Sequence, residues 1–207
     1  PTKTFVSFGG PTESYRKRVK ELHQEADQSK MFDNIITFTD QDLEKDQEFW
    51  ETHGEFISNP KHQRGYGFWL WKPYIIMKRL AELNDGDFLV YTDVGCVFNP
   101  DGLPRLREYE SMLDSNDFGL ISFQLPEKLM EYKFTKRSLF EFMKSTDQDK
   151  NTQQFMATVV IMKKTPRLEN FIKHWYLYAC SNNYIYLTDA RNPLLKEHPE
   201  FMDHRHD

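Results

Sequence analysis

A single aspartate follows a continuous apolar run near the middle of the chain. Residues 88–92 read Phe-Leu-Val-Tyr-Thr, and Asp93 comes directly after them. Such a run is typical of a strand buried on both faces of a sheet, and open α/β sheets bind ligands outside the carboxyl ends of their strands. Because a carboxylate there is costly unless it is used or paired, Asp93 is a candidate functional residue; the alternative is a turn or helix cap.

A carboxylate at this position points to metal-assisted chemistry on a diphosphate. Hard cations such as Mn²⁺ or Mg²⁺ prefer carboxylate oxygens. A cation held by Asp93 would offset the charge on a departing nucleoside diphosphate. We therefore expect Mn²⁺ or Mg²⁺ as cofactor and assign Thr92 and Asp93 to the donor-binding site.

Residues 64–73 form a second candidate segment, with two glycines, four aromatic residues and two cations in ten positions. Arg64 offers a bidentate fork and Lys72 a point charge, and both suit phosphate or sugar hydroxyls. The alternative is an aromatic cluster under a loop, with both cations solvated.

Three shorter segments also carry functional groups. Phe8, Gly9 and Gly10 follow the first strand-like run, where glycine lets a backbone approach a nucleotide; a plain tight turn is the alternative. The segment 204–207 reads His-Arg-His-Asp and can complete a metal shell, although a solvated tail fits it equally well. Asp189 can act as general base toward an acceptor hydroxyl or be a turn residue.

Two glutamines and two cysteines complete the set of candidate functional groups. Gln153 and Gln154 precede an apolar run and can hydrogen-bond a sugar, but surface positions fit them better. Cys96 and Cys180 have no neighbouring cysteine, so a zinc site or redox pair is not indicated.

Apolar periodicity places these residues in an α/β fold. Strand and helix patterns alternate, which predicts a mostly parallel sheet with helices on both faces and room for one antiparallel strand. The predicted strands are 3–8, 32–39, 88–92, 119–123 and 155–162, and the predicted helices are 13–29, 41–52, 74–83, 102–113, 138–143 and 168–179.

Composition narrows the class of protein. The 207 residues suit one domain, and a net charge of -5 without a basic stripe argues against nucleic acid as partner. No apolar run reaches the roughly 20 residues of a membrane span, and no signal peptide is recognisable. Two cysteines fit a reducing compartment, so we expect a cytoplasmic protein. The functional groups at 204–207 favour a fragment of a longer chain.

Taken in order, four blocks of the sequence resemble a group of GT-A type glycosyltransferases from bacterial glycan loci and large DNA viruses. The blocks, which are spread over nearly the whole chain, are 5–10, 64–73, 86–96 and 204–207. The resemblance implies one GT-A domain over residues 1–207, with a Rossmann-like donor half that usually binds a UDP-sugar. If the protein is viral, its cytoplasmic location would be that of the host.

The resemblance also implies residue roles. Asp93 stands in the place of the family's acidic DxD element, but Gly95 stands where the second acid belongs. The metal would then be held by Asp93 with His204, His206 or Asp207; the alternative is a site that depends only weakly on a metal. Phe8, Gly9 and Gly10 would flank the nucleotide, while Arg64 and Lys72 would face the diphosphate or sugar.

The expected function is transfer of a hexose-like sugar from a nucleotide donor to a hydroxyl of a glycan or glycoprotein, with Asp93 and Asp189 as the catalytic residues. Two alternatives remain. A sugar nucleotidyltransferase would read a glycine-rich basic loop, for which Arg16 and Lys17 are the nearest cations. A non-catalytic carbohydrate-binding module would use Trp69 and Trp71.

Overall fold

The structure is a computed structural model that describes residues 1–206. Its strands are β1 (Lys3–Phe8), β2 (Asn34–Phe38), β3 (Phe88–Thr92), β4 (Leu120–Gln124) and β5 (Phe155–Lys163). Its helices are α1 (Glu13–Ser29), α2 (Asp40–Lys45), α3 (Gln47–Ser58), α4 (Gly65–Phe68), α5 (Trp71–Glu82), α6 (Leu103–Asp114), α7 (Glu131–Phe134), α8 (Arg137–Met143), α9 (Asp147–Lys150) and α10 (Pro166–Tyr184), and Pro60–His62 is a 3₁₀ turn.

The five strands form one mixed sheet in the order β2-β1-β3-β5-β4. β1 pairs in parallel with β2 and β3, whereas β5 is antiparallel to both of its neighbours, β3 and β4. Four strands therefore run in one direction and β5 in the other. The predicted α/β class, with a mostly parallel sheet, is confirmed.

Helices cover both faces of the sheet, as predicted. In β1, Phe5 packs in a core with α1 and α6, and its neighbour Val6 packs in a separate core with α5 and α10. β3 alternates in the same way, because successive side chains of a strand point to opposite faces. All five of its residues are buried, which explains its continuous apolar sequence.

Two predicted helices differ from those observed, and two short helices were missed. The helix predicted at 41–52 is divided into α2 and α3, because the Asp46 side chain accepts a hydrogen bond from the Phe49 N–H and begins a new helix. α10 is assigned as far as Tyr184, but Ser181, Asn182 and Asn183 have non-helical backbone angles, so the regular helix ends close to the predicted residue 179. The short helices α7 and α9 were not predicted, since one turn is too short to show a helical period. Within residues 1–206 no helix is long and apolar enough to cross a bilayer.

Gly9 allows α1 to pack tightly against the end of β1. A Cβ at this position would lie 2.4 Å from the Tyr15 carbonyl oxygen and 2.5 Å from the Val19 Cβ. Neither distance is compatible with van der Waals contact, so a larger residue would push the helix away. A Cβ at Gly95, in contrast, would meet nothing within 4 Å.

We therefore expect Gly9→Ala to lower the free energy of unfolding by roughly 1–3 kcal/mol, the usual cost of overpacking, and Gly95→Ala to change it by less than about 0.5 kcal/mol. Urea unfolding followed by circular dichroism measures both. Equal midpoints for the two variants would show that helix α1 moves to accept the Cβ at position 9 without a loss of unfolding free energy.

His53 joins α3 to α10 from a buried position. Its Nδ1 lies 2.8 Å from the Tyr184 hydroxyl and its Nε2 2.5 Å from the Tyr176 hydroxyl. Burial lowers the pKa of His53 to about 4. The folded protein therefore holds a neutral imidazole, whereas the unfolded chain takes up a proton near pH 6.5.

Because the unfolded state binds the extra proton, the stability that His53 contributes is present above pH 6.5 and is lost as the pH falls toward 4. Between pH 7 and pH 5 we expect wild type to lose about 1–2 kcal/mol more than His53→Gln does. Urea titrations of wild type and His53→Gln at both pH values give this difference. The other histidines are present in both proteins, so their contributions cancel. An identical pH dependence in both proteins would rule out this titration.

Candidate functional site

Asp93 lies at the carboxyl end of β3, next to the end of β1. Its Oδ1 accepts a hydrogen bond from the Tyr91 hydroxyl at 2.7 Å and lies 3.1 Å from the Lys72 Nζ. Within residues 1–206, its Oδ2 makes no hydrogen bond, and the Asp93 side chain is 30% exposed. The carboxylate is thus fixed on one oxygen and open on the other.

Lys72 is buried directly beneath this carboxylate. Its side chain has no exposed surface, and its Nζ lies 5.5 Å from the centre of the Tyr91 ring. A buried ammonium needs an anion nearby to offset its lost hydration. Lys72, which we predicted to face the diphosphate or sugar, has no exposed side-chain surface in this conformation, so its contact with a ligand stays a prediction.

The predicted nucleotide-flanking residues lie at the same edge of the sheet. The Phe8 ring is stacked on the Trp71 ring with centroids 4.0 Å apart. Gly10 is in close contact with Asp40, since a Cβ there would lie 2.5 Å from the Asp40 Oδ1. Thr92 is buried, and its carbonyl accepts a hydrogen bond from the Ser7 hydroxyl. These contacts give the edge a rigid wall.

The segment that delivers Lys72 has an unusual backbone. Five consecutive residues, 65–69, have positive φ angles between 52° and 82°, so α4 is a left-handed turn. Tyr66, Phe68 and Trp69 are not glycines, and each costs roughly 1–2 kcal/mol in this conformation. Such strain persists only where surrounding contacts enforce it, and it is concentrated at functional sites.

Contacts with the rest of the protein hold this turn in place. The Trp71 indole N–H donates a hydrogen bond to the Gly65 carbonyl at 3.0 Å, and the Lys72 N–H donates to the Trp69 carbonyl at 2.9 Å. Phe68 is buried within the larger core. The aromatic residues of 64–73 are therefore largely structural, and they determine where Arg64 and Lys72 lie.

Arg64 belongs to a second cluster, which joins the turn to the C-terminal part of the chain. Its guanidinium donates to the Asp203 Oδ2 at 3.0 Å and lies 3.8 Å from the Asp189 Oδ1. The Asp189 Oδ1 is also 3.2 Å from the His206 Nε2. Partial burial acts to raise the pKa of Asp203, but the hydrogen bonds from Arg64 and from the His204 N–H hold it below its usual value.

The two predicted histidine ligands have different surroundings. The His204 Nδ1 accepts a hydrogen bond from the Lys136 N–H and its Nε2 lies 2.9 Å from the Tyr186 carbonyl oxygen, so both nitrogens are in use. The His206 Nδ1 contacts the Leu187 carbonyl, which turns Nε2 toward Asp189. Burial lowers the pKa of His204 to about 3 and also lowers that of His206.

The metal ligands expected from the sequence do not form a complete set among residues 1–206. No group of three or more histidine, cysteine, aspartate or glutamate side chains is arranged to hold a metal in that range. His204 would have to release a backbone hydrogen bond before it could bind one. Asp207, the remaining predicted ligand, lies outside the described residues. Metal binding by Asp93, His204 and His206 stays a prediction.

Sequence reasoning missed two partners of the predicted residues. Tyr91 shares a face of β3 with Asp93, and the spacing of two residues along a strand is a signal that identifies such a pair. Asp203, the partner of Arg64, is separated from it by 139 positions, and no local pattern indicates that contact.

Comparison with known proteins adds little to this geometry. No protein-family model and no curated protein matches the chain. Among solved structures, it is similar to the crystal structure of a glycosyltransferase involved in the glycosylation of the major capsid of PBCV-1, with 13% identity and a TM-score of 0.46. The match covers 88% of this chain and 68% of that chain. At this level, the similarity carries no weight for fold or activity.

Lys136 organises the segment that carries Asp189. Its side chain is buried, and its Nζ donates hydrogen bonds to the carbonyl oxygens of Ile185, Thr188 and Ala190. Burial lowers its pKa to about 8. One buried amine thus closes the loop 185–190, to which His204 and His206 also bond.

We expect Lys136→Met to lower the free energy of unfolding by about 2–4 kcal/mol, because three carbonyl groups lose their donor. Lys128→Met, at an exposed lysine, serves as the control and should stay within about 0.5 kcal/mol of wild type. Denaturant midpoints measure both. A small effect of Lys136→Met would mean that this loop satisfies its carbonyls in another way.

Proposed function

We propose that this chain is a glycosyltransferase that moves a hexose-like sugar from a nucleotide donor, expected to be a UDP-sugar, to a hydroxyl of a glycan. The supporting observation is Asp93, a half-buried carboxylate at the carboxyl edge of the sheet. It is bonded on one oxygen to a buried cation and a tyrosine and is open on the other. This is where open α/β folds bind nucleotides.

In the proposed reaction, Asp93 binds and orients the donor. The contacts with Lys72 and Tyr91 fix its Oδ1, so that Oδ2 is presented in one direction. Such preorganised electrostatics stabilise a transition state without reorganisation during the reaction. Of the residues Phe8, Gly9 and Gly10 at the neighbouring strand end, only Gly10 is not buried, so it is the one that would border the nucleotide.

Asp189 is the proposed general base. It is about half exposed, and Arg64 and His206 lie on either side of its Oδ1. An acceptor hydroxyl would give its proton to Asp189 as its oxygen attacks the anomeric carbon, and the bond from that carbon to the diphosphate would break. Arg64 is the exposed cation of this cluster and the candidate to contact the departing phosphate.

A divalent cation would supply further charge stabilisation if it is bound. The described residues offer Asp93 as the only carboxylate at the end of β3, with Oδ1 already engaged, so no step is assigned to the metal. Dependence on Mn²⁺ or Mg²⁺ is part of the proposal and is tested separately by adding each ion after chelation.

The two alternatives are less well supported by the contacts. Arg16 is held in two hydrogen bonds by Asp40, which leaves a nucleotidyltransferase loop without this cation. Trp71 is buried against Phe8 and presents no free face to a sugar, and the partly buried Trp69 ring has one face stacked on His206.

Asp93→Asn should reduce nucleotide release from the active member of a UDP-sugar panel by about 10²-fold or more in kcat/KM, because a preorganised charge is lost. Asp117→Asn, at an exposed aspartate that precedes β4, is the matched control and should retain wild-type rates. A luminescent assay for released UDP, run with Mn²⁺ and with EDTA, measures turnover. Melting curves establish that the variant is folded. Undiminished turnover of folded Asp93→Asn would remove Asp93 from the mechanism.

A further inference from the structure

A groove of ≈ 630 Å³ lies between α10, the start of β5 and the C-terminal segment. Its volume is within the range of small-molecule sites. Six of its lining residues recur at the spacing of one helical face, as i, i+3, i+4, i+7, i+8 and i+11. They are Arg167, Asn170, Phe171, His174, Trp175 and Tyr178. The face thus carries three aromatic and three polar side chains.

The groove also gathers exposed apolar side chains. Met143, Phe155, Phe171 and Tyr178 all line it, and their exposed fractions range from 37% to 58%. Large apolar side chains scattered singly over a surface need no explanation, but several around one concavity mark a binding site.

The polar wall of the groove contains an unmet hydrogen-bond acceptor. Gln154 is more than nine-tenths buried, and its Nε2 donates to the Glu131 Oε2 at 3.2 Å. Because a carboxylate accepts hydrogen bonds, this contact determines which end of the amide is nitrogen. The Gln154 Oε1 is buried and has no partner among residues 1–206. An unmet buried acceptor is costly, and an occupant with a donor would remove that cost once the side chains over it shift, because the Oε1 atom has almost no accessible surface in this conformation.

We propose that this groove binds the acceptor oligosaccharide, an inference that rests on the proposed function and names its second substrate site. Aromatic rings stack on the apolar faces of sugar rings, while polar side chains between them take the hydroxyl groups. A lipid chain would fit the aromatic residues but would bring no donor to Gln154. The face from Arg167 to Tyr178 is about 16 Å long, which is longer than one sugar ring, so the site accommodates at least a disaccharide.

Part of the groove lining lies next to the proposed base. His206 and Leu187 belong to this part, and the His206 Nε2 lies 3.2 Å from the Asp189 Oδ1. A glycan that lies along α10 would therefore present its terminal residue next to Asp189. This continuity favours an acceptor over an unrelated ligand.

Glycan binding by the full chain, first on a printed array of microbial and animal glycans and then in solution by tryptophan fluorescence, tests the groove. We expect Phe171→Ala and Tyr178→Ala each to weaken binding about tenfold. Leu177→Ala is the matched control, since Leu177 is on the same helix, is 45% exposed and is not part of the groove lining. It should bind within about twofold of wild type. In the transfer assay, the groove variants should raise the acceptor KM about tenfold and leave donor hydrolysis unchanged.

Several outcomes separate this inference from the proposed function. Glycan binding that is the same in wild type and in both groove variants overturns the groove assignment, even when transfer is observed. If no nucleotide is released, but glycan binds to wild type and not to the groove variants, glycosyl transfer is overturned and the groove remains a glycan-binding site. Binding of a polyprenyl phosphate in the absence of any glycan signal overturns the inference in favour of a lipid.

Discussion

The contact between Lys72 and Asp93 is the interaction on which the candidate site depends. An ammonium without exposed surface requires an anion at close range, since breaking a buried pair typically costs about 3–5 kcal/mol. The chain supplies that anion at the end of β3, where the carboxylate is also partly open to solvent. Structure and the proposed function therefore both use the same side chain: Oδ1 is engaged by Lys72 and Tyr91, and Oδ2 makes no hydrogen bond within residues 1–206.

The left-handed turn at 65–69 is a consequence of this arrangement. The chain must bring Trp71 against Phe8 and Lys72 beneath Asp93 within a few residues of Arg64, which lies at the surface. Glycine at two of the five positions reduces the strain, and burial of Phe68 and the hydrogen bond from Trp71 oppose the rest. The aromatic density of the segment therefore has a structural explanation as well as a functional one.

Polar side chains that contact backbone carbonyl groups hold the C-terminal part of the chain in place, whereas aromatic packing holds the turn at 65–69. Lys136, His204 and His206 all contact the segment 185–190, and that segment carries Asp189. Arg64 then links the same segment to the turn. Because the contact of Arg64 with Asp189 joins residues more than a hundred positions apart, the proposed base and the turn that precedes Lys72 are held together only in the folded chain. The groove along α10 extends from this junction.

Local patterns in the sequence were sufficient for the strands, the longest predicted helices and the position of Asp93. Helix α1 has the predicted bounds 13–29, and β3 has the predicted bounds 88–92, because burial on one helical face or on both sheet faces leaves a period that a short window reveals. The resemblance to GT-A enzymes added roles for these residues but no geometry.

Only the tertiary structure determined which predicted residues meet. The reversed direction of β5, the pairing of Lys72 with Asp93 and the cluster of Arg64, Asp189 and His206 all depend on contacts between distant parts of the chain. The chemistry of a side chain limits what it can bind, but the packing of sheet and helices determines which residue it contacts. The sequence alone therefore determined the elements and the chemical groups at their ends, and the fold decided that Lys72 is buried, that His204 is bonded on both nitrogens and that α10 borders a groove.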